Sequence, residues 1–179
     1  MSNFLPVNKL KNFLIILSLF IGGFSAFSQQ AIDFGLGANI STGLQDEWGV
    51  HLKSQYHLNE KWNLYGEYNL FFRRDVISQN TETYHAFGLG ANYQIFQVST
   101  ANIYAGLGYV ANNFPIDERN PDTTELFVST GNINHAANLK LMGILPLGEH
   151  LHLFAEYNIR SFGKRYDTFT FGFIYRLSE

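Results

Sequence analysis

Six histidines, at positions 51, 57, 85, 135, 150 and 152, are the residues of this chain best suited to hold a metal ion or move a proton near neutral pH. His51 and His57 share the polar face of one predicted strand but lie about 20 Å apart along it. His150 and His152 flank a turn beside Glu149. No single strand or turn gathers three ligands, so the spacing does not build a zinc site, and no metal or other cofactor is implied. Cysteine is absent, which removes thiolate metal sites, cysteine nucleophiles, disulfides and a lipidated N-terminal cysteine together. Ser99, Ser129 and Ser161 have no base at a defensible pairing, so the sequence reads as that of a non-enzyme.

The charged residues are more informative than the histidines. Asp33, Lys53, Glu67, Arg73, Lys140, Glu156, Arg160 and Arg176 each sit in a segment that alternates strictly between polar and apolar residues. Eight strands follow from this period of two, over residues 31–41, 49–58, 62–73, 84–96, 102–113, 132–145, 151–161 and 167–177. One face of each is apolar, as in Ile32, Phe34, Leu36, Ala38 and Ile40 of the first, or Phe169, Phe171, Phe173, Tyr175 and Leu177 of the last. Of the forty positions on these faces none is charged, whereas a chain with 15 % charged residues would place about six there. The eight charged residues all fall on the opposite faces, among many Asn, Gln and Gly.

The chain has 179 residues, enough for roughly one domain. Twelve Lys and Arg against fifteen Asp and Glu lack the basic excess that a phosphate backbone demands, which argues against nucleic acid as a partner. Residues 1–28 have the anatomy of a signal peptide: Lys9 and Lys11, the apolar run Phe13 to Ile21, then Ala26-Phe27-Ser28 before a cut near Gln29. The expected mature domain is 29–179.

Alternation alone fits either an apolar core or its inverse, a polar interior with an apolar outside. Three features favour the inverse. Connections alternate between short (59–61, 97–101, 146–150) and long (74–83, 114–131). Aromatic residues sit at the ends of the apolar faces: Trp62, Tyr93 and Tyr175 towards the short turns, Phe72, Tyr109 and Phe169 towards the long loops. An exported chain that crosses hydrocarbon as strands must also close, because an open edge leaves backbone groups unpaired in lipid.

With these strands and a final Phe169-Thr170-Phe171-Gly172-Phe173-Ile174-Tyr175-Arg176-Leu177, residues 31–177 resemble the small outer-membrane β-barrels of the OmpA transmembrane-domain and OmpX type. Members of that group usually end on an aromatic residue; this chain ends Ser178-Glu179, with Tyr175 and Leu177 as the nearest equivalents. The resemblance implies an all-β, eight-stranded antiparallel up-and-down transmembrane barrel in the cell outer membrane. It also implies insertion by the barrel-assembly machinery, contact with outer-membrane lipid and lipopolysaccharide, and a monomer. His135-Ala136-Ala137-Asn138 loosely resembles the His-x-Ser-Asn pattern of the outer-membrane lipid A deacylases, but Ala137 stands where the nucleophile would be.

Register then places the interior charges. If Leu58 faces Trp62, Lys53 lies opposite Glu67; if Leu145 faces Leu151, Lys140 lies opposite Glu156. The two hairpins echo each other, Leu52-Lys53 with Tyr65-Gly66-Glu67-Tyr68-Asn69-Leu70 against Leu139-Lys140 with Phe154-Ala155-Glu156-Tyr157-Asn158-Ile159. Glycines on the neighbouring strands (Gly35, Gly37, Gly88, Gly90, Gly106, Gly108, Gly172) leave room for Tyr65, Phe71, Phe154 and the charged side chains, so the lumen is expected to be filled and a channel for small solutes is the lesser reading. The loop 114–131, with Phe114, Arg119, Leu126, Phe127 and Val128, is the candidate contact for an extracellular protein or glycan, and Leu126 to Ser129 are expected to extend the sixth strand.

Overall fold

A computed structural model describes residues 32–41, 47–74, 81–113, 128–130, 133–160 and 167–177. They form β1 (Ile32–Ser41), β2 (Glu47–His57), β3 (Trp62–Arg74), β4 (Thr81–Val98), β5 (Ala101–Asn112), β6 (Val128–Thr130), β7 (Ile133–Pro146), β8 (Leu151–Arg160) and β9 (Thr168–Arg176). The eight long strands each run antiparallel to the next, β5 pairs directly with β7, and β1 closes on β9. The result is a closed up-and-down barrel, in which the backbone groups of every long strand have a neighbour on both sides. The short β6 folds back antiparallel on the loop end of β7, with Val128 opposite His135, beyond the reach of β8. It is therefore a separate strand and not the extension of the sixth strand expected from Leu126 to Ser129.

Alternation is kept without a break along most strands. Along β8 every odd position from Leu151 to Ile159 is exposed and every even one from His152 to Arg160 is buried. What alternation sorts is inverted relative to a water-soluble protein: Leu107 is 62 % and Leu36 60 % exposed, while Asn39, Asn63, Asn92 and Asn138 are fully buried.

β4 is longer than its apolar pattern, running over 81–98 against an expected 84–96, and the extension at its C-terminal end has a local cause. A bulge at Ile95 inserts one extra residue, so Ile95 and Phe96 both face outward. Ser99 and Thr100 then close a tight turn, with Ser99 at a positive φ of 55°.

Two glycine seams lie on opposite sides of the barrel. Gly90 is opposite Gly108 where β4 meets β5, and Gly172 is opposite Gly37 where β9 meets β1. Four strands separate the seams in either direction. Tyr65 of β3 is opposite Gly90, and Phe154 of β8 is opposite Gly172. The Tyr65 hydroxyl occupies the space that a Cβ on Gly90 or Gly108 would need, and the Phe154 ring would lie 3.2 Å from a Cβ on Gly37. Lys53 is opposite Gly35, and Lys140 opposite Gly106. Each half of the barrel, β1–β4 and then β5 with β7–β9, thus repeats the pairings of lysine with glycine and ring with glycine, and a pairing of glycine with glycine joins the halves at each boundary.

Replacing Gly108 by Val is expected to cost about 1–3 kcal/mol, since the new side chain meets both the Tyr65 hydroxyl and the backbone carbonyl of Leu89. The urea midpoint of the barrel refolded in lipid vesicles reads this loss. Gly148→Ala, in a short turn where a Cβ meets nothing within 4 Å, leaves the midpoint unchanged.

Candidate functional site

Four ionised side chains meet in the middle of the lumen. β2 and β3 turn Lys53 and Glu67 inward, and β7 and β8 do the same for Lys140 and Glu156; all four are at most 4 % exposed. The Lys53 ammonium bonds Glu156 Oε2, and the Lys140 ammonium bonds Glu67 Oε2 while lying 3.4 Å from Glu156 Oε2. The order Lys53, Glu156, Lys140, Glu67 alternates in sign and carries no net charge. Asn158 Nδ2 donates to Glu156 Oε1 at 3.1 Å, and the Lys140 ammonium stands 3.8 Å from the centre of the Tyr65 ring, a cation–π contact.

The register expected for the first hairpin is the one observed: Lys53 is opposite Glu67. In the second hairpin Lys140 is opposite Asn158 and Glu156 is opposite Met142, two residues away from the expected pairing of Lys140 with Glu156. The turns explain the difference. Leu147 N–H donates to Leu151 O at 2.9 Å just as Leu58 N–H donates to Trp62 O at 2.9 Å, so Leu147 and not Leu145 faces Leu151. Pro146 had marked the end of the strand in the sequence, yet β7 continues through it. The repeated frame Leu-x-Glu-x-apolar, Leu58 to Trp62 and Leu147 to Leu151, is the signal that locates the turn. Because of the offset, the closest ion pairs run across the lumen between the two halves, and not along either hairpin.

Towards the short-turn end, Asp33 of β1 is opposite Arg176 of β9. Asp33 Oδ1 accepts from Arg176 Nε at 3.1 Å, and Asp33 Oδ2 lies 2.7 Å from His57 Nε2 on β2. The first and last strands are therefore joined by a charge pair in addition to their backbone ladder. Arg160 is buried in the loop half of β8. Arg73 lies in β3, but its side chain is outside the described residues, as are Phe114, Arg119, Leu126 and Phe127; of the loop candidates only Val128 is placed, by its backbone in β6.

Two apolar clusters were not anticipated. Phe71, Tyr84, Ala86, Val110 and Ala136 form one towards the loops. Tyr104, Met142, Ile144, Phe154 and Ile174 form the other towards the short turns. The inward parity of Val110, Met142, Ile144 and Ile174 was readable in the sequence, but a polar face is not where apolar residues are sought. Buried asparagine pairs fill further lumen positions, with Asn39 donating to Asn69 at 2.6 Å, Asn92 to Asn63 at 2.8 Å and Asn138 to Asn158 at 3.2 Å.

His51, Glu67 and Glu156 offer a nitrogen and two carboxylate oxygens within 4.8 Å of one another. Neighbouring ligands of a tetrahedral zinc ion stand only about 3.4 Å apart. Two ammonium groups already neutralise both carboxylates, so a dication would add two uncompensated charges to a buried site. His51 instead belongs to the network: its Nδ1 is 2.7 Å from Asn69 Oδ1, and its Nε2 is 3.8 Å from Glu156 Oε1. His135 faces outward while Asn138 is fully buried in the lumen, so these two cannot converge on one substrate.

No protein-family model and no curated protein matches the chain, but solved structures do. The Yersinia pestis outer membrane protein Ail, determined in a phospholipid bilayer nanodisc, aligns at a TM-score of 0.55 and 13 % identity over 83 % of this chain and 99 % of that one. The N-terminal β-barrel domain of Pseudomonas aeruginosa OprF aligns at 0.56 and 14 %, over 82 % and 97 %. The fold is that of the small eight-stranded outer-membrane barrels. OprG from Pseudomonas aeruginosa aligns at 0.53 and 14 %, over 84 % and 96 %. Ail has also been solved with the heparin analogue sucrose octasulfate, a structure that aligns at 0.54 and 14 %, over 83 % and 97 %. At these identities the likeness is one of fold.

Lys140 touches both carboxylates, so Lys140→Met is expected to be the most damaging single change, at about 3–5 kcal/mol, with much of the loss recovered by adding Glu67→Gln. Double-mutant cycles in refolded barrel should give strong coupling for Lys53 with Glu156 and for Lys140 with Glu67. Coupling for Lys53 with Glu67, neighbours in register, should be weaker.

Proposed function

We propose that the chain is exported, loses residues 1–28 as a signal peptide, and serves as a monomeric, non-enzymatic integral outer-membrane barrel over residues 29–179. In this reading its outer face meets outer-membrane lipid and lipopolysaccharide, the barrel-assembly machinery inserts it, and its longer loops present a contact surface to an extracellular protein or glycan. The observation that carries the reading is the sorting of side chains, with ionised groups inside and most of the large apolar side chains, Leu107, Phe173 and Trp48 among them, outside. On β4 the apolar outer face from Phe87 to Phe96 spans ten residues, which at a strand tilt of about 40° is roughly 25 Å, the height of the apolar band of such barrels.

The filled lumen favours a structural or adhesive role over transport. A solute would have to pass an apolar cluster, the charge network and a second apolar cluster. The sulfated sugar bound to Ail supports glycan as the class of ligand for the loop segment with Phe114, Arg119, Leu126, Phe127 and Val128.

The test is membrane fractionation with gel mobility before and after heating, followed by planar-bilayer recording and a glycan and protein array. The expected protein is found in the outer membrane, migrates faster unheated, conducts no steady current, and binds a partner that it loses when residues 115–125 are deleted. Release in the soluble periplasmic fraction, or steady conductance, contradicts the reading.

A further inference from the structure

The short-turn end of the lumen holds two polar side chains whose bonding is incomplete. His152 of β8 is 6 % exposed, and its Nε2 is buried without a hydrogen-bond partner. Tyr104 of β5 is also 6 % exposed, and among the described residues none engages its hydroxyl. A buried polar group left unbonded is destabilising, so a group from outside the chain is needed to complete it. The strands set these two beside a charge pair. His152 is opposite Ile174 of β9, and Arg176, two residues nearer the turns on β9, is opposite Asp33 of β1. Arg176 therefore stands between His152 on one flank and Asp33 on the other, with His57 of β2 beyond Asp33. Arg176, Asp33, His57 and His150 lie within electrostatic reach of His152. Arg176 and Asp33 also lie within reach of the Tyr104 phenol, although β5 is four strands from β1 in either direction.

What is left to bond in this cluster is of one kind. The Asp33 carboxylate is already engaged: Oδ1 accepts from Arg176 Nε at 3.1 Å, while Oδ2 accepts from Arg176 Nη2 at 3.4 Å and lies 2.7 Å from His57 Nε2. Those contacts use two of the five guanidinium N–H groups and fix the plane of the fork. The remaining guanidinium N–H groups, the one N–H that a neutral imidazole of His152 carries, and the Tyr104 hydroxyl are all donors. Arg176 keeps 31 % of its side chain exposed, so the cluster opens to solvent at the turn end. On the other side it is closed. The next inward residues, Phe154 on β8 and Ile174 on β9, belong to the apolar cluster with Met142 and Ile144.

We propose that Arg176, His152 and Tyr104 form a binding site for a compact oxyanion, a carboxylate or a phosphate, that enters the lumen from the short-turn end. Asp33 and His57 are the frame: Asp33 holds the guanidinium by one edge and leaves its other N–H groups free, and His57 supports Asp33. Two parallel N–H groups of an arginine meet two oxygens of one anion, the geometry in which arginine recognises carboxylate and phosphate alike. His152 and Tyr104 donate from the sides, and the apolar floor stops the anion from passing further. The site belongs to the barrel interior and does not depend on what surrounds the outer face.

The test uses the full barrel refolded in dodecyl maltoside, a detergent without phosphate, and titrates inorganic phosphate, acetate and chloride separately at matched ionic strength. The nitrogen resonances of labelled His152 and of Arg176 Nε are the readouts. Phosphate, acetate or both are expected to move these signals saturably while chloride does not, and the tighter of the two oxyanions identifies the source. Affinity should fall about tenfold in His152→Phe and about threefold in Tyr104→Phe, with the heat-sensitive mobility of the folded barrel kept. If His152→Phe loses that mobility, Tyr104→Phe decides alone. No saturable shift with either oxyanion, which leaves water to complete His152, overturns the site. Shifts of equal size with chloride, or unchanged affinity in the folded variants, overturn it as well.

Discussion

An ionised side chain that faces a stoppered lumen cannot be hydrated by bulk water, so its charge has to be balanced by the side chains around it. This constraint governs the interior of the barrel. Lys53, Glu67, Lys140 and Glu156 lie between two apolar clusters, and together they carry no net charge. Their long side chains need free volume, which glycines on the adjoining strands provide opposite Lys53, Glu67 and Lys140. The outer face is the complement of this arrangement. Once polar groups are paired inside, one face of every strand is left to apolar side chains, and closure through β1 and β9 leaves no long strand with an unpaired edge.

The barrel is close to a repeat of one four-stranded unit, and its departure from the repeat determines the ion pairing. Lys53 and Lys140, Tyr65 and Phe154, and the two glycine seams occupy matching places in the two halves. A strict repeat would set Lys140 opposite Glu156 as Lys53 is set opposite Glu67. The two-residue offset between β7 and β8 replaces that neighbour with Asn158 and sends both lysines across the lumen. Each half therefore neutralises the other, so the walls are tied across the centre as well as around the circumference.

Period two was enough to identify every long strand and the inward face of the seven expected charged residues whose side chains are described, because in a barrel each strand is sorted by the same two environments along its length. Register was readable where the turn was short and bounded by apolar residues, as at Leu58 and Trp62. It was misread at Pro146, where the absence of an N–H suggested a strand end although the ladder continues past it. The expected pair of Lys140 with Glu156 is present at 3.4 Å, but the two closest ion pairs were not legible, because they depend on which side chains meet across the lumen and not on which stand side by side. The outer histidines were legible only as residue types: the contacts of His85 with Tyr68 and of His135 with Tyr109 are diagonal, and become visible only when the registers of β3 with β4 and of β5 with β7 are known.

The central claim is that the apolar face of each strand contacts acyl chains. The chain lacks cysteine, so single spin labels can be placed without background at Leu139 and Leu141 of β7, at Leu107 of β5 and in the turn at Gly148. In reconstituted bilayers, collision with dissolved oxygen should be high and collision with a water-soluble nickel chelate low at Leu107, Leu139 and Leu141, with the reverse at Gly148. Free access of the nickel chelate to the three leucine positions would contradict the account.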